Sequence, residues 1–371
     1  MILLLVCGAL LLAYSILLVY YWYAWQRIPV YRAPAAPGQT RVTVVIPARN
    51  EEQRIGSLLL ALQNQDYPAA LYEVIVVDDH SSDGTAGIVS GFPDVRLIRL
   101  QEDALNSYKK KAIETGIAHA TGDMILCTDA DTVPGPRWIR TMTAFATEKK
   151  AVFVAAPVLM KGGRGGLSVF QSLDFMMLQA ITGAVVQERS LSMCNGANLA
   201  YTKEVFRAVD GFSGIDDIAS GDDMLLMYKI CQRYPQQVYY LKSPDAIVAT
   251  APQDNWRAFI RQRIRWASKA GRYQDKRFWP VLLLVYCNNL SFLVLAVLSV
   301  CCAGWWQWLL LGVVVKTLAE LPLMISAARF FKQLSLLAWF VFLQPLHILY
   351  TIVSGFLGQA GPYEWKGRRV R

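Results

Sequence analysis

A chain of 371 residues is longer than one ordinary domain of about 250 residues requires, and a hydrophobic fraction of 54% with only 18% charged residues is high for a soluble protein. The net charge of +9 arises from 37 basic and 28 acidic residues; because much of the basic excess flanks hydrophobic runs, it argues for a membrane surface and against a nucleic-acid partner. The seven cysteines have no metal-ligand spacing and several sit inside apolar runs, so they read as reduced small hydrophobes and not as a zinc centre.

No charged side chain occurs from Met1 to Gln26. The run lacks a basic start and exceeds the roughly 7–15 apolar residues of a signal peptide, and it ends in YYWYAW (20–25) followed by Arg27. It therefore reads as a retained transmembrane helix over 1–26, with an interfacial aromatic belt and a cytoplasmic flank at Arg27, Arg32 and Arg41.

From there to residue 254 the pattern is that of a cytoplasmic α/β domain. RVTVVIPARN (41–50), EVIVVDD (73–79), DVRLIRL (94–100) and DMILCTD (123–129) are short β-branched runs that suit buried strands. Helical periodicity runs through 51–65 and 109–120, and HSSDGT (80–85) combines turn and cap residues. Strands alternating with helices predict a mostly parallel, Rossmann-like sheet covered on both faces. Ligands of such sheets gather beyond the carboxyl ends of the strands, where Asn50, Asp78, Asp79, Asp129 and Asp131 fall. No glycine-rich fingerprint follows the first strand, which disfavours a dinucleotide site. A nucleoside diphosphate here would need a cation and basic side chains.

Asp129-Ala130-Asp131, leaving a strand into the turn at Thr132 and Pro134, presents two hard oxygen ligands. A bare D-x-D recurs by chance, but this chemistry suits Mg²⁺ or Mn²⁺ bridged to phosphate, and the lack of a neighbouring histidine disfavours a zinc hydrolase. His80 reads as a loop-surface residue. The apolar stretch 167–185 suits either core or an acceptor-side helix at the membrane. MCNGANLAY (193–201) offers the small and polar residues of a tight wall, and SGDDMLL (220–226) places aspartates at a helix start, where the dipole favours them.

NWRAFIRQRIRWASK (255–269) is amphipathic and reads as an interfacial helix within 255–277. Gln262, Arg265 and Trp266 share adjacent turns of it at i, i+3 and i+4, while Arg261 and Arg263 are assigned to lipid headgroups. Three hydrophobic segments follow within 278–358, near 280–301, 305–327 and 335–357; Gln344, Pro345 and His347 mark the last as a candidate re-entrant segment. Lys316 and Glu320, one turn apart inside a span, are expected to pair. A basic tail occupies 359–371.

Five stretches now stand in one order: VVIPARNEE, VIVVDDHSSDGT, TDAD, GDD (221–223) and QRIRW (262–266). Together they make residues 41–270 resemble the membrane-bound family 2 glycosyltransferases, the group of processive synthases and lipid-glycosylating enzymes. The resemblance implies a glycosyltransferase A type fold and an inverting, metal-dependent hexosyl transfer. It implies that Pro47, the Ala48 backbone, Arg49 and Glu51 line the nucleotide pocket, that Asp79 beside Asp78 meets the base or ribose, and that Lys109 helps to hold base or phosphates. Asp129 and Asp131 would correspond to the motif that holds Mg²⁺ or Mn²⁺ on the diphosphate, with Asp131 the stronger ligand. Asp223 would be the catalytic base, beside Asp222 where the family has glutamate. Gln262 and Arg265 would meet the diphosphate, Trp266 the acceptor entrance, and Gly196, Ala197 and Asn198 the acceptor.

The implied donor is a nucleotide sugar, most readily a UDP-sugar. The preferred acceptor is a lipid-linked or hydrophobic hydroxyl at the cytoplasmic face of a bacterial inner membrane. A growing glycan, as in poly-N-acetylglucosamine or hyaluronan synthesis, is the alternative; a translocation channel would then need more spans than one chain offers, unless the protein is an oligomer. An inactive membrane scaffold or transport protein is the competing reading from another class.

Overall fold

The structure, a computed structural model, describes residues 1–36, 38–103, 105–218, 220–269, 274–302 and 304–359, with the backbone of two short strands at Tyr363–Trp365 and Arg368–Val370. The chain divides into two compact units, one formed chiefly by Pro29–Lys161 and Ser192–Ala251, the other by Met1–Ile28, Gly162–Leu191 and Pro252–Tyr363.

The first unit is built on a seven-stranded sheet of order β3-β2-β1-β4-β8-β6-β9. Its strands are β1 (Val42–Ala48), β2 (Tyr72–Asp78), β3 (Val95–Arg99), β4 (Met124–Cys127), β6 (Phe153–Ala155), β8 (Leu199–Thr202) and β9 (Val238–Tyr240). The first four are mutually parallel, and β8 runs antiparallel between β4 and β6. A smaller sheet joins β5 (Thr132–Pro134), β10 (Val248–Thr250) and β7 (Val158–Met160).

Both faces of the main sheet are covered, as the unbroken apolar strands demand. On one face Ile55, Leu58, Leu59 and Leu62 of the Ile55–Gln63 helix pack with Val44, Ile46, Val76, Leu126 and Trp138. Each such buried aliphatic contributes on the order of 1.5–3 kcal/mol. On the other face Ala112 of the Tyr108–His119 helix packs on Ile75 and Val77. That helix comes so close that a Cβ on Gly116 would lie 2.5 Å from Val45 Cγ1. Register pairs Ala48 with Asp78 and Val45 with Cys127, so β1, β2 and β4 release their carboxyl ends on one edge.

The second unit is helical. Ile2–Arg27, Gly166–Gln187, Phe278–Cys301 and Trp306–Phe330 are each long and apolar enough to cross a membrane, and Leu334–Phe340 with Gln344–Gln359 form a pair bent by 80°. The break falls at residues 341–343, and Pro345 lies in the first turn of the helix that follows, where a missing N–H is tolerated. Lys316 and Glu320 pair as expected, at 2.5 Å and fully buried, and Gln344 bridges them by accepting from Lys316 and donating to Glu320. Tyr14 adds its hydroxyl to the same carboxylate.

The helix Gly166–Gln187 departs from the sequence reading of 27–254 as one domain. It groups with the apolar helices, with residues such as Phe170, Leu173, Phe175, Ala180, Val185 and Val186 buried around its circumference. A helix apolar on every side has no solvent face, and its burial among other helices follows. The basic tail expected over 359–371 lies largely outside the described residues.

Candidate active site

The loops leaving β1 and β2 are stitched together by short-range hydrogen bonds. Asn50, at φ 51°, accepts from the Ser82 amide through Oδ1, while its own amide donates to Ser81 Oγ. The Glu51 amide donates to Thr85 Oγ1, and Glu52 Oε2 accepts from the Gly84 amide. The ARNEE and HSSDGT stretches are therefore one paired turn, with Pro47 and Glu51 half-buried and Ala48 buried along it.

Arg49 donates from Nη1 to the Asp79 carbonyl at 2.7 Å and stands 3.7 Å from the Asp79 carboxylate. His80, also at positive φ, bridges Asp79 at 3.1 Å and Asp103 at 3.2 Å. Instead of lying idle on the loop surface, it braces the end of β2. Asp79 is thus tied from two sides, whereas Asp78, 5% exposed, keeps Oδ1 as a buried acceptor without a partner among the described residues.

Lys109 is the hub. Its Nζ stands 2.8 Å from Asp129 Oδ1 and 3.0 Å from Asp222 Oδ2, joining the strand-end motif to the GDD stretch. Burial works against its charge, but Asp129, Asp222 and Asp223 outweigh that and hold its pKa above the ordinary lysine value. Gly196 lies against the same hub: a Cβ there would come within 3.2 Å of both Lys109 Nζ and Asp222 Oδ2. Its amide donates to Asp223 Oδ2 at 3.0 Å.

Asp223 caps the helix Met224–Arg233 through Oδ1, which accepts from the Met224 amide at 2.8 Å. Two backbone donors fix its rotamer while leaving it half-buried, whereas Asp222 is buried against Lys109. The two carboxylates, alike in sequence, therefore occupy different environments. Next to the hub, Lys110 donates to the carbonyls of Ile215 and Ile218 at 2.5 Å and of Ser220 at 3.2 Å, pinning the loop that leads into GDD.

Asp131 faces Arg54 at 3.5 Å. Asp129 and Asp131 keep 34% and 28% of their side chains exposed. Among the described residues no three His, Cys, Asp or Glu side chains gather to cage a metal. Two accessible carboxylates instead fit a hard cation of the Mg²⁺ or Mn²⁺ kind, which takes one or two carboxylates and completes its shell with substrate phosphates and water.

Two expectations are corrected. Asn198 is fully buried: Oδ1 accepts from Trp138 Nε1 at 2.9 Å, and Nδ2 donates to the carbonyls of Pro157 and Ala246 at 2.8 Å each. With three hydrogen bonds made inside the core, its side chain acts as a structural pin. Ala197 is likewise buried, its carbonyl accepting from Thr128 Oγ1, and Gly196 is buried against the Lys109 and Asp222 side chains. Arg263 is not available to lipid headgroups, being 4% exposed and paired at 2.6 Å with Asp174. The helix period sets this: Arg263 shares the inward face with Phe259.

Gln262, Arg265 and Trp266 sit on the Trp256–Ala267 helix, in the helical unit, while the carboxylate cluster belongs to the sheet unit. Arg54 and Lys110 were not singled out by sequence, and His80 was read only as a loop-surface residue. The only hint was a positive charge beside an acidic motif, or inside the KKK run (109–111), and neither says which direction a side chain takes.

Residues 43–210 match the family model described as Glycosyl transferase family 2. Among curated proteins, a dolichyl-phosphate beta-glucosyltransferase of Trichomonas vaginalis is 31% identical over 169 residues, 40% of this chain and 49% of that protein. A poly-beta-1,6-N-acetyl-D-glucosamine synthase of Staphylococcus epidermidis is 23% identical over 248 residues, 65% of this chain and 57% of that protein. The chain spans about half the length of the curated relatives it matches. A mannosyltransferase of Pyrobaculum calidifontis, solved with GDP-Man and Mn²⁺, superposes with a TM-score of 0.62 at 22% identity, over 95% of this chain and 98% of that one. That likeness establishes the fold, an α/β sheet of glycosyltransferase A type.

Proposed function

We propose that this chain, which carries a family 2 glycosyltransferase domain over residues 43–210, transfers a sugar from a nucleotide sugar to a hydroxyl of a lipid-linked or hydrophobic acceptor, with inversion at C1. The observation that carries the reading is the Lys109-centred cluster of Asp129, Asp222 and Asp223 at the carboxyl edge of a mostly parallel sheet, in a chain whose described residues include four helices apolar enough to cross a membrane. The name of the dolichyl-phosphate relative supports the lipid acceptor. The name of the polysaccharide synthase relative favours a second reading, repeated transfer to a growing glycan. In either case the arginines flanking the apolar runs support a membrane protein with its sheet domain on the cytoplasmic side.

Asp223 takes the proton of the acceptor hydroxyl, oriented by the Gly196 and Met224 amides. The acceptor oxygen forms its bond to C1 as the bond from C1 to the diphosphate oxygen breaks, and the nucleoside diphosphate leaves with the electron pair. Asp131 with Asp129 would hold Mg²⁺ or Mn²⁺; such a cation, when bound, neutralises charge growing on the diphosphate. Asp78 and Asp79 hold the nucleoside. Arg265 is assigned to the departing diphosphate by its place in QRIRW.

The test is a donor panel of UDP-, GDP- and dTDP-sugars with Mn²⁺ or Mg²⁺ and membrane lipid extract, read by mass spectrometry. A single-sugar glycolipid product is expected, and a ladder of lengths would favour the polymer reading. Asp223→Asn should lose transfer yet keep donor binding. Absence of nucleotide-sugar binding across the panel would overturn the proposal.

A further inference from the structure

We infer that Arg263 is a positioning residue, which through a buried contact with Asp174 sets the orientation of Gln262 and Trp266 on the QRIRW helix. The inference rests on the transferase reading for what that orientation serves, but its geometry stands within the helical unit alone.

Arg263 and Asp174 are 4% and 3% exposed and meet at 2.6 Å. The other Asp174 oxygen accepts the hydroxyl of Tyr350, and His347 Nε2 lies 3.9 Å from it. Asp174 belongs to Gly166–Gln187, and Tyr350 and His347 to Gln344–Gln359. Through Asp174 the arginine's helix is thus tied to two others.

What the guanidinium does along its own helix is more specific. Its Nη1 donates to Gln262 Oε1 at 3.0 Å. Its Cζ lies 4.2 Å from the centroid of the Trp266 ring and 4.7 Å from that of Phe259. The plane therefore sits between an aromatic four residues before it and one three residues after, with Gln262 held at its edge. Phe175 closes on the indole at 6.2 Å between ring centroids. A flat cation anchored at one end by a carboxylate can fix an indole in rotation and tilt, which a flexible ammonium cannot.

A buried ion pair is in itself weak support for stability, since an apolar pair of similar size often serves folding as well. That separates positioning from mere packing. The double variant Arg263→Met/Asp174→Leu keeps volume and leaves no uncompensated charge, so it should fold with a melting temperature near the native one. Hydrogen exchange on the protein in detergent should nevertheless quicken by at least about tenfold in amides 259–267 while the core of Gly166–Gln187 stays protected. With an active donor, kcat should fall by about 100-fold at unchanged donor KM, because misplacement by about 1 Å costs that much.

Arg263→Lys, which keeps the charge, should show the same kcat loss. Tyr350→Phe, which removes one hydroxyl, gives a milder variant whose exchange in 259–267 should also quicken. Native exchange in both the double variant and Tyr350→Phe would overturn the inference, as would native kcat in Arg263→Lys. Failure of the wild-type protein to transfer from any donor would count against the transferase reading, and exchange would still decide the role of Arg263.

Discussion

Replacing Lys109 by methionine removes the cation shared by Asp129 and Asp222, and the structure says which contact should dominate. Lys109 keeps 24% of its side chain exposed, Asp222 10% and Asp129 34%. Breaking a fully buried pair costs roughly 3–5 kcal/mol; with Lys109 a quarter exposed, about 2 kcal/mol of coupling to Asp222 is a fair magnitude. Asp129 is a third exposed and solvent-screened, so its coupling should stay below about 1 kcal/mol.

Double-mutant cycles with Lys109→Met, Asp222→Leu and Asp129→Leu, followed by thermal melting in detergent, measure both. At about 2–4 °C per kcal/mol for a domain of this size, the Asp222 cycle should show a non-additivity of about 4–8 °C. Because the Lys109 pKa is raised, its contribution is complete below the ordinary lysine value and fades only as pH rises through the higher one. The coupling should therefore be flat between about pH 6 and 9. Equal coupling to both aspartates, or none to Asp222, would refute the view of Lys109 as the buried bridge between the two motifs.

Asn198→Ala should destabilise the sheet unit by about 2–4 kcal/mol, since it removes the partner of Trp138 Nε1 and of the Ala246 carbonyl, while the Pro157 carbonyl keeps the Val248 amide; whatever activity survives should show an unchanged acceptor KM in steady-state assays. Lys242 is 6% exposed, and burial holds its pKa down to about 8. The folded protein thus binds fewer protons than the unfolded chain between about pH 8 and 10.5, so stability should rise with pH across that window. Lys242→Met should raise the melting point at neutral pH, by up to roughly 3 kcal/mol of stability, and remove its share of the pH slope. An identical slope in melting curves of the two proteins would show that Lys242 is not the source.

Much of the sheet and part of the site were legible in the sequence because they are local. VTVVIPA, YEVIVVD and MILC are apolar runs of strand length, each ending in a polar turn, and a parallel sheet sends such turns to one edge. The aspartates at positions 78, 79, 129 and 131 could be assigned to that edge with no knowledge of packing. Helix starts were readable in the same way, Asp223 before MLLMYKI being the example.

Tertiary structure alone decided which charged groups meet. Lys109 and Asp222 are 113 positions apart and Asp174 and Arg263 are 89 apart, so no periodicity connects them. Two adjacent aspartates, 222 and 223, are told apart physically only by packing, one buried against a lysine and the other capping a helix. Asn198 and Arg263 were misread for one physical reason: a polar side chain looks free when its partners are distant in sequence. A chain declares its local preferences residue by residue, but burial and pairing of charge are properties of the packed whole.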